Sequence, residues 1–170
     1  MHDILVRALF DSPSKADAGV QALRANGVAG GDVSVILSEA ARQAMGDFDS
    51  TSPSKAVEGA GVGGAIGGVA GAALAAIVAV GSSLIVPGLG LVIAGPLAAA
   101  FAGAGAGGLA GTMVGALIGA GVPEDHASIY EAGVREGGVV MVVRAHSEAE
   151  ASTIEAVLRA SGAERTFLQP

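Results

Sequence analysis

The run Val139-Val140-Met141-Val142-Val143 decides the fold that this sequence predicts, because no other stretch of the chain favours a strand so strongly. Its β-branched residues fit the pleated surface of a sheet. The run shows no alternation of apolar and polar residues, and an uninterrupted apolar run is typical of a strand that is covered on both faces. We therefore predict a central strand at this position.

A helix is predicted on each side of this strand. Pro123-Glu124-Asp125 opens the first helix with acidic residues at its positive end, and Gly137-Gly138 ends it. Ser147 and Glu150 have the spacing of a capping box at the start of the second helix, which Gly162 ends. The apolar residues of that second helix are Ile154, Val157 and Leu158.

The amino-terminal part of the chain shows the same strand–helix–strand order. Strands are predicted at Asp3–Phe10 and Val33–Leu37 with a helix between them at Ser14–Asn26, and the chain ends with a short strand at Arg165–Leu168. Two such units joined by a long inserted segment predict an α+β fold. Its layout is the ferredoxin-like split β-α-β arrangement, in which four antiparallel strands carry two helices on one face.

In the segment between the two halves, residues 59–122 are rich in glycine and carry no charged side chain. We predict that residues 1–45 and 123–170 form the two halves of the ferredoxin-like domain, that residues 46–58 are a linker and that residues 59–122 are the inserted segment. Glycines recur in it at a spacing of four on two ladders: Gly59, Gly63, Gly67, Gly71 and then Gly103, Gly107, Gly111, Gly115, Gly119.

This spacing keeps each ladder on one face of a helix, and a face of glycines lets two helix backbones approach closely. We therefore predict that the ladder glycines form a helix-packing and oligomer interface. The two helices are expected at residues 59–80 and 97–120, as an antiparallel hairpin. The apolar residues 81–96 would be its tip, either buried against protein or placed at a bilayer interface.

Whether this hairpin lies in lipid is left open by the sequence. Each predicted helix has a length close to the ~30 Å that a bilayer core requires, and the absence of charge favours lipid. The low leucine and phenylalanine content, the absence of a Trp or Tyr belt and the acidic flanks argue against it. Because the amino terminus lacks the features of a signal peptide, we expect a cytoplasmic protein that can associate with the inner membrane.

Composition excludes several classes of function. A formal net charge of −7 argues against binding to nucleic acid, since phosphate binding requires clustered Lys and Arg. The sequence contains no cysteine, which excludes disulfides, thiol catalysis and thiolate metal sites. Residues 59–64 and 103–108 each match G-x-G-x-x-G, but neither match follows a predicted strand, so helix packing is the favoured interpretation over dinucleotide binding.

Two side chains near the start of the helix at Pro123 are candidates for chemistry. His126 follows Glu124 and Asp125, which suggests a metal ligand or, as the favoured interpretation, an exposed residue near the helix cap. Tyr130 is expected to pack at the junction between the hairpin and the sheet. The sequence therefore predicts no catalytic residues, no metal and no cofactor.

The chain resembles a bacterial family of general stress or low-temperature-induced proteins, in which a small α+β domain carries a Gly/Ala-rich hairpin. The resemblance lies in the ladders and in five short segments, at residues 85–90, 94–98, 121–125, 130–133 and 137–139. It implies an association with stress and no assigned catalytic residues.

The resulting hypothesis is a non-enzymatic, self-assembling protein whose hairpin mediates homo-oligomerisation and membrane association. A binding module that encloses a lipid tail or a quinone in a soluble hairpin bundle is the alternative. A cytoplasmic enzyme of ferredoxin-like type is a third hypothesis, for which only the scattered histidines speak.

Overall fold

A computed structural model describes residues 4–44, 72–80, 83–86, 89–103, 113–119 and 122–169 of the chain. Within these residues one antiparallel sheet has six strands in the order β3-β4-β2-β5-β1-β6. The strands are β1 Ile4–Phe10, β2 Val33–Ser38, β3 Ser83–Val86, β4 Leu91–Ala94, β5 Val139–Ala145 and β6 Arg165–Gln169.

The helices of the described residues lie on both faces of this sheet. They are α1 Pro13–Ala25, α2 Glu39–Ala44, α3 Ala72–Val80, α4 Pro96–Gly103, α5 Met113–Gly119, α6 Glu124–Arg135 and α7 Glu148–Ala160. A short 3-10 helix at Gly30–Asp32 precedes β2. The fold is therefore α+β, as the sequence predicts.

The central position of β5 is confirmed. It lies between β1 and β2, and Met141 is opposite Ala8 on one side and Val35 on the other. Every residue from Val139 to Val143 is buried. Successive residues contribute in turn to two apolar clusters, one on each face of the sheet. An apolar run without alternation is the sequence pattern that such a position requires.

The predicted number of strands is wrong. The strands expected from the two ends of the chain are neighbours in the order β2-β5-β1-β6, but β4 and β3 extend the sheet beyond β2. Part of the segment predicted as a hairpin tip, residues 81–96, forms these two strands. Leu91–Ala94 pairs with β2 and is buried throughout, which gives its apolar side chains a covered position on both faces.

The prediction that helices cover only one face is also wrong. The first face, which carries Val6, Val35 and Met141, packs against α1, α3 and α7. The second face, which carries Leu9, Ile36 and Val140, packs against α4, α5 and α6. Helices are required on both faces because the central strands are apolar on both.

The described parts of the predicted helical hairpin lie on opposite faces of the sheet. Leu74 and Ile77 of α3 belong to the first apolar cluster, whereas Ala98 of α4 and Leu117 of α5 belong to the second. An antiparallel hairpin of these helices is therefore wrong for the described residues, because each helix covers a different apolar surface. Among the residues that the structure describes, no helix has both the length and the apolar character needed to cross a membrane.

Candidate functional site

A buried arginine lies on the second face of the sheet, close to the edge formed by β6. Arg7 of β1 is opposite Val142 on β5 and Phe167 on β6, and only 2% of its surface is exposed. Burial lowers the pKa of Arg7, and the neighbouring Tyr130 partly offsets this effect. Burial likewise raises the pKa of Tyr130, and Arg7 acts in the opposite direction. A cation in an apolar layer is uncommon, because charged groups lose hydration on burial.

Three rings lie together on this part of the second face. His126 and Tyr130 are one turn apart on α6, so their side chains lie on the same side of the helix. The His126 and Phe167 ring centroids are 3.8 Å apart with an interplanar angle of 30°. The Tyr130 ring meets Phe167 at 6.0 Å and 75°, which is an edge-to-face contact. The ring contacts connect α6 to the edge strand β6.

His126 lies in the first turn of α6, near the cap, as predicted, but its predicted exposure is wrong, because its ring lies on Phe167 and its side chain is only 24% exposed. Its Nε2 atom is 3.6 Å from the Asp125 carboxylate. The described residues contain no group of three or more His, Cys, Asp or Glu side chains that could hold a metal ion. Tyr130 is fully buried in the second apolar cluster, where it packs α6 on the sheet.

Two polar atoms of this cluster have no hydrogen-bond partner among the described residues. They are Nδ1 of His126 and Oη of Tyr130. Together with Arg7, these atoms give the second face a polar centre within its apolar layer.

A buried carboxylate lies on the opposite face, at the start of α3. Asp17 of α1 is 1% exposed, and its Oδ1 atom accepts hydrogen bonds from the backbone N–H groups of Ala73 and Leu74, each at 2.9 Å. Gln21 donates from Nε2 to Oδ2 of Asp17 at 2.6 Å. Asp17 thus caps α3 from another helix and places a negative charge at its positive end.

A small cavity of about 110 Å³ lies on the second face, next to the start of α4. The hydroxyl of Ser34 accepts a hydrogen bond from the backbone N–H of Leu97 at 3.2 Å and forms part of the wall. The cavity is well below the roughly 300–1,000 Å³ of typical ligand pockets. Its lining residues are Leu5, Asp32, Ser34, Pro96, Leu97, Val142 and Arg144.

The two edges of the sheet carry the exposed large apolar side chains of the described residues. Ile85 on β3 is 44% exposed and Leu168 on β6 is 46% exposed. The edges differ in charge, because Ser83–Val86 has no charged residue, whereas the exposed Glu164 and Arg165 stand at the start of β6. An edge strand without charge is open to pairing with a further strand.

The glycine ladders are described only in part. Gly103 ends α4, and Gly115 and Gly119 belong to α5, which packs against α6. Gly115 is buried in this arrangement. The other ladder positions, Gly59, Gly63, Gly67, Gly71, Gly107 and Gly111, lie outside the described residues, and so does the whole of residues 59–64. The role of the ladders as an interface between copies stays a prediction.

Sequence reasoning missed Arg7, Asp17 and the β3 edge. Arg7 interrupts an otherwise apolar strand, and Asp17 stands beside the apolar stripe of α1, so both carried a signal that polar atoms would be buried. The partners of these groups are distant in the sequence and gave no signal of their own.

No protein-family model, no curated protein and no solved structure matches this chain. The resemblance to general stress proteins therefore stays a prediction that rests on the short segments quoted above.

Proposed function

We propose that this protein is a non-enzymatic, self-associating protein whose copies meet through the uncharged segment at residues 59–123. The observation that carries the proposal is the distribution of charge. The chain has 9 basic and 16 acidic residues, and every one of them lies outside that segment. Copies with a net charge of −7 repel one another, and they repel least where no charge is present.

The glycine ladders supply a means of contact within this segment. A small-residue face brings helix backbones close enough for extensive van der Waals contact. Interior glycine costs ~1 kcal/mol relative to alanine, so repeated glycines in a helix require compensation from packing. Gly115 of α5 belongs to the second ladder and is buried, which supports such packing at this position.

The domain that carries these segments is, in this proposal, an elaborated ferredoxin-like domain. The order β2-β5-β1-β6 with α1 and α7 on the first face supports the assignment, and the β3–β4 hairpin is then an addition at the β2 edge. A stress-associated role and contact with the inner membrane belong to the same proposal. The absence of charge in the segment at residues 59–123 supports membrane contact as well as contact between copies.

Sedimentation velocity of the full chain and of two matched variants tests self-association. Gly107→Leu places a bulky side chain on the second ladder, whereas Gly105→Leu places it two residues away and hence on the opposite side of a helix. We expect the wild type and Gly105→Leu to sediment as an oligomer and Gly107→Leu to shift toward the monomer. A wild-type chain that stays monomeric at every concentration would refute the proposed function.

The same samples separate the two alternatives. Co-sedimentation with lipid vesicles that the Gly107→Leu variant retains would assign the uncharged segment to membrane contact. A wild-type monomer that binds a fluorescent fatty acid with one-to-one stoichiometry would favour the module that encloses an apolar ligand. Circular dichroism of each variant shows whether its fold is retained.

A further inference from the structure

We infer that β3 takes part in the contact between copies: the β3 edges of two molecules pair antiparallel across a two-fold axis and join the two sheets. The inference rests on the proposed function and adds a second surface to the one proposed for the glycine ladders. It starts from the observation that β3 is hydrogen-bonded to β4 on one side and, among the residues that the structure describes, has no paired strand on the other. The outer backbone groups of an edge strand are free to pair with another chain.

The exposure of β3 supports a role in pairing. Ser83 and Ile85 are exposed, and Leu84 is half-buried. Ile85 is opposite Val92 of β4, which belongs to the first apolar cluster, so the Ile85 side chain extends that apolar face beyond the last covered strand. A neighbouring strand at this edge would cover Ile85, and isoleucine favours such pairs across strands.

Charge distinguishes this edge from the other one. Proteins protect exposed sheet edges with charged residues, and β6 has such protection in Glu164 and Arg165. Thr166 of β6 also accepts a hydrogen bond from Arg159 of α7, so charged side chains border that edge. The β3 strand has no charged residue, so its edge lacks the charged side chains that border the other end of the sheet.

A second copy of the chain is the partner that fits this edge. The strand has four residues, and the next residue in the sequence is Pro87, which lacks the N–H that further pairing requires. An uncharged strand meets its own copy without like-charge repulsion, although the whole chain is acidic. The strand also lies within the uncharged segment, between the two glycine ladders, so its pairing is continuous with the contacts proposed for them.

Symmetry sets the register of this contact. A two-fold axis perpendicular to the sheet makes the paired strands antiparallel and keeps each residue on its own face. The register that covers the exposed isoleucine places Ile85 opposite Ile85 of the second copy, with Leu84 opposite Val86 on either side. Cα atoms that are directly opposite in an antiparallel pair lie ~4.5–5.5 Å apart, a distance that a disulfide spans.

Single-cysteine cross-linking tests this geometry, and the absence of native cysteine makes each product unambiguous. Ile85→Cys and Leu168→Cys are matched variants, because the two residues are 44% and 46% exposed and lie on opposite edges of the sheet. Under mild oxidation of the full chain, we expect the Ile85→Cys variant to form a covalent dimer as its main product. The Leu168→Cys variant should stay mostly monomeric.

A covalent dimer of Leu168→Cys without one of Ile85→Cys would overturn the inference, and so would a disulfide that forms only when the two variants are mixed. The mixed product would indicate head-to-tail pairing of β3 with β6. Ile85→Lys adds a charge to the edge and should abolish the dimer in sedimentation velocity, whereas Leu168→Lys should leave the dimer intact.

Different experimental outcomes would refute the β3 contact and the proposed self-association. If the wild type is an oligomer that Gly107→Leu disperses and Ile85→Lys does not, then self-association stands and the β3 contact is refuted. If the wild type is a monomer throughout, the proposed function fails and the β3 contact fails with it.

Discussion

Replacement of Asp17 by alanine should be among the most destabilising single changes in this protein. The carboxylate is buried and accepts two backbone hydrogen bonds from the start of α3. A hydrogen bond to a charged group contributes about 1.5–3 kcal/mol, and removal of the acceptor leaves two buried N–H groups without a partner. The two bonds share one oxygen and are not additive, so we expect a loss of about 3–5 kcal/mol in the free energy of unfolding.

Two further variants separate the causes of this loss. Asp17→Asn keeps an oxygen acceptor of the same shape and removes the charge at the helix start, which should cost about 1–2 kcal/mol. Asp125→Ala is the control, because Asp125 also lies in the first turn of a helix but its side chain is 77% exposed. A change at such an exposed position should stay below about 1 kcal/mol.

Urea unfolding followed by far-ultraviolet circular dichroism measures all three free energies. A typical domain has ~5–15 kcal/mol of stability in total, so the alanine variant should unfold at a clearly lower urea concentration. Hydrogen exchange at the amides of Ala73 and Leu74 adds a local measurement, and both should exchange faster in the alanine variant. A loss under about 0.5 kcal/mol for Asp17→Ala, with unchanged exchange, would refute the docking of α3 on α1.

Two more predictions concern the second face and the β4–α4 junction. Burial raises the pKa of Tyr130, so its contribution to stability is complete below the unfolded pKa of about 10 and is lost as the pH rises toward the folded value. The free energy of unfolding should therefore fall by up to about 1.4 kcal/mol per pH unit in that range, and Tyr130→Phe should reduce this slope. An equal slope in both proteins would contradict the prediction. The chain has 1 tyrosine and no tryptophan, so alkaline absorbance reports this residue alone. Gly95 and Gly27 have φ angles of +90° and +84°, but an added Cβ at Gly95 would lie 2.5 Å from the carbonyl oxygen of Val33, whereas Gly27 has open space. Thermal unfolding should show a loss of roughly 1–2 kcal/mol for Gly27→Ala and a clearly larger loss for Gly95→Ala; similar losses would mean that β4 is not held against β2 as described.

Local signals in the sequence predicted the elements at both ends of the chain. Ser147 and Glu150 form the predicted cap: Ser147 Oγ accepts from the Glu150 N–H at 3.2 Å, and the Glu150 carboxylate accepts from the His146 N–H at 2.8 Å. Glycine ends the same helix, and Gly162 has a φ of +92°. Such signals succeed because cap and turn preferences depend on residues within one or two turns of the chain.

The β3–β4 hairpin could not be predicted in the same way. Leu91–Ala94 is a four-residue apolar run, and a run of that length does not distinguish a buried strand from part of an apolar helix or tip. The glycine ladders on either side favoured a helical interpretation of the whole segment. The pairing of β4 with β2 depends on the exposed edge of β2, which no local pattern in residues 81–96 reveals.

The contacts of Arg7 and Asp17 were also outside the reach of local patterns. Asp17 meets α3 across more than fifty residues of chain. Arg7 lies beside Tyr130 and Phe167 because the fold brings β1, β6 and α6 together. A buried charge can be suspected from its apolar neighbours in sequence, but its partner is a property of the assembled layers.

Because the β3–β4 hairpin belongs to the sheet, less apolar surface of the uncharged segment has to be covered by lipid or by another protein. Leu91 to Ala94 are buried in the sheet, and residues of α3 and α5 are buried against its two faces, so these described parts of the uncharged segment are covered within the chain. Among the described residues, Ser83–Val86 is a strand edge, and its outer N–H and C=O groups need hydrogen-bond partners. Hydrocarbon offers no such partners, so an edge in lipid would lose hydrogen bonds that water or another strand supplies. Pairing with a strand satisfies the backbone hydrogen bonds and covers Ile85 in one contact, so this edge favours a second copy of the chain over the bilayer.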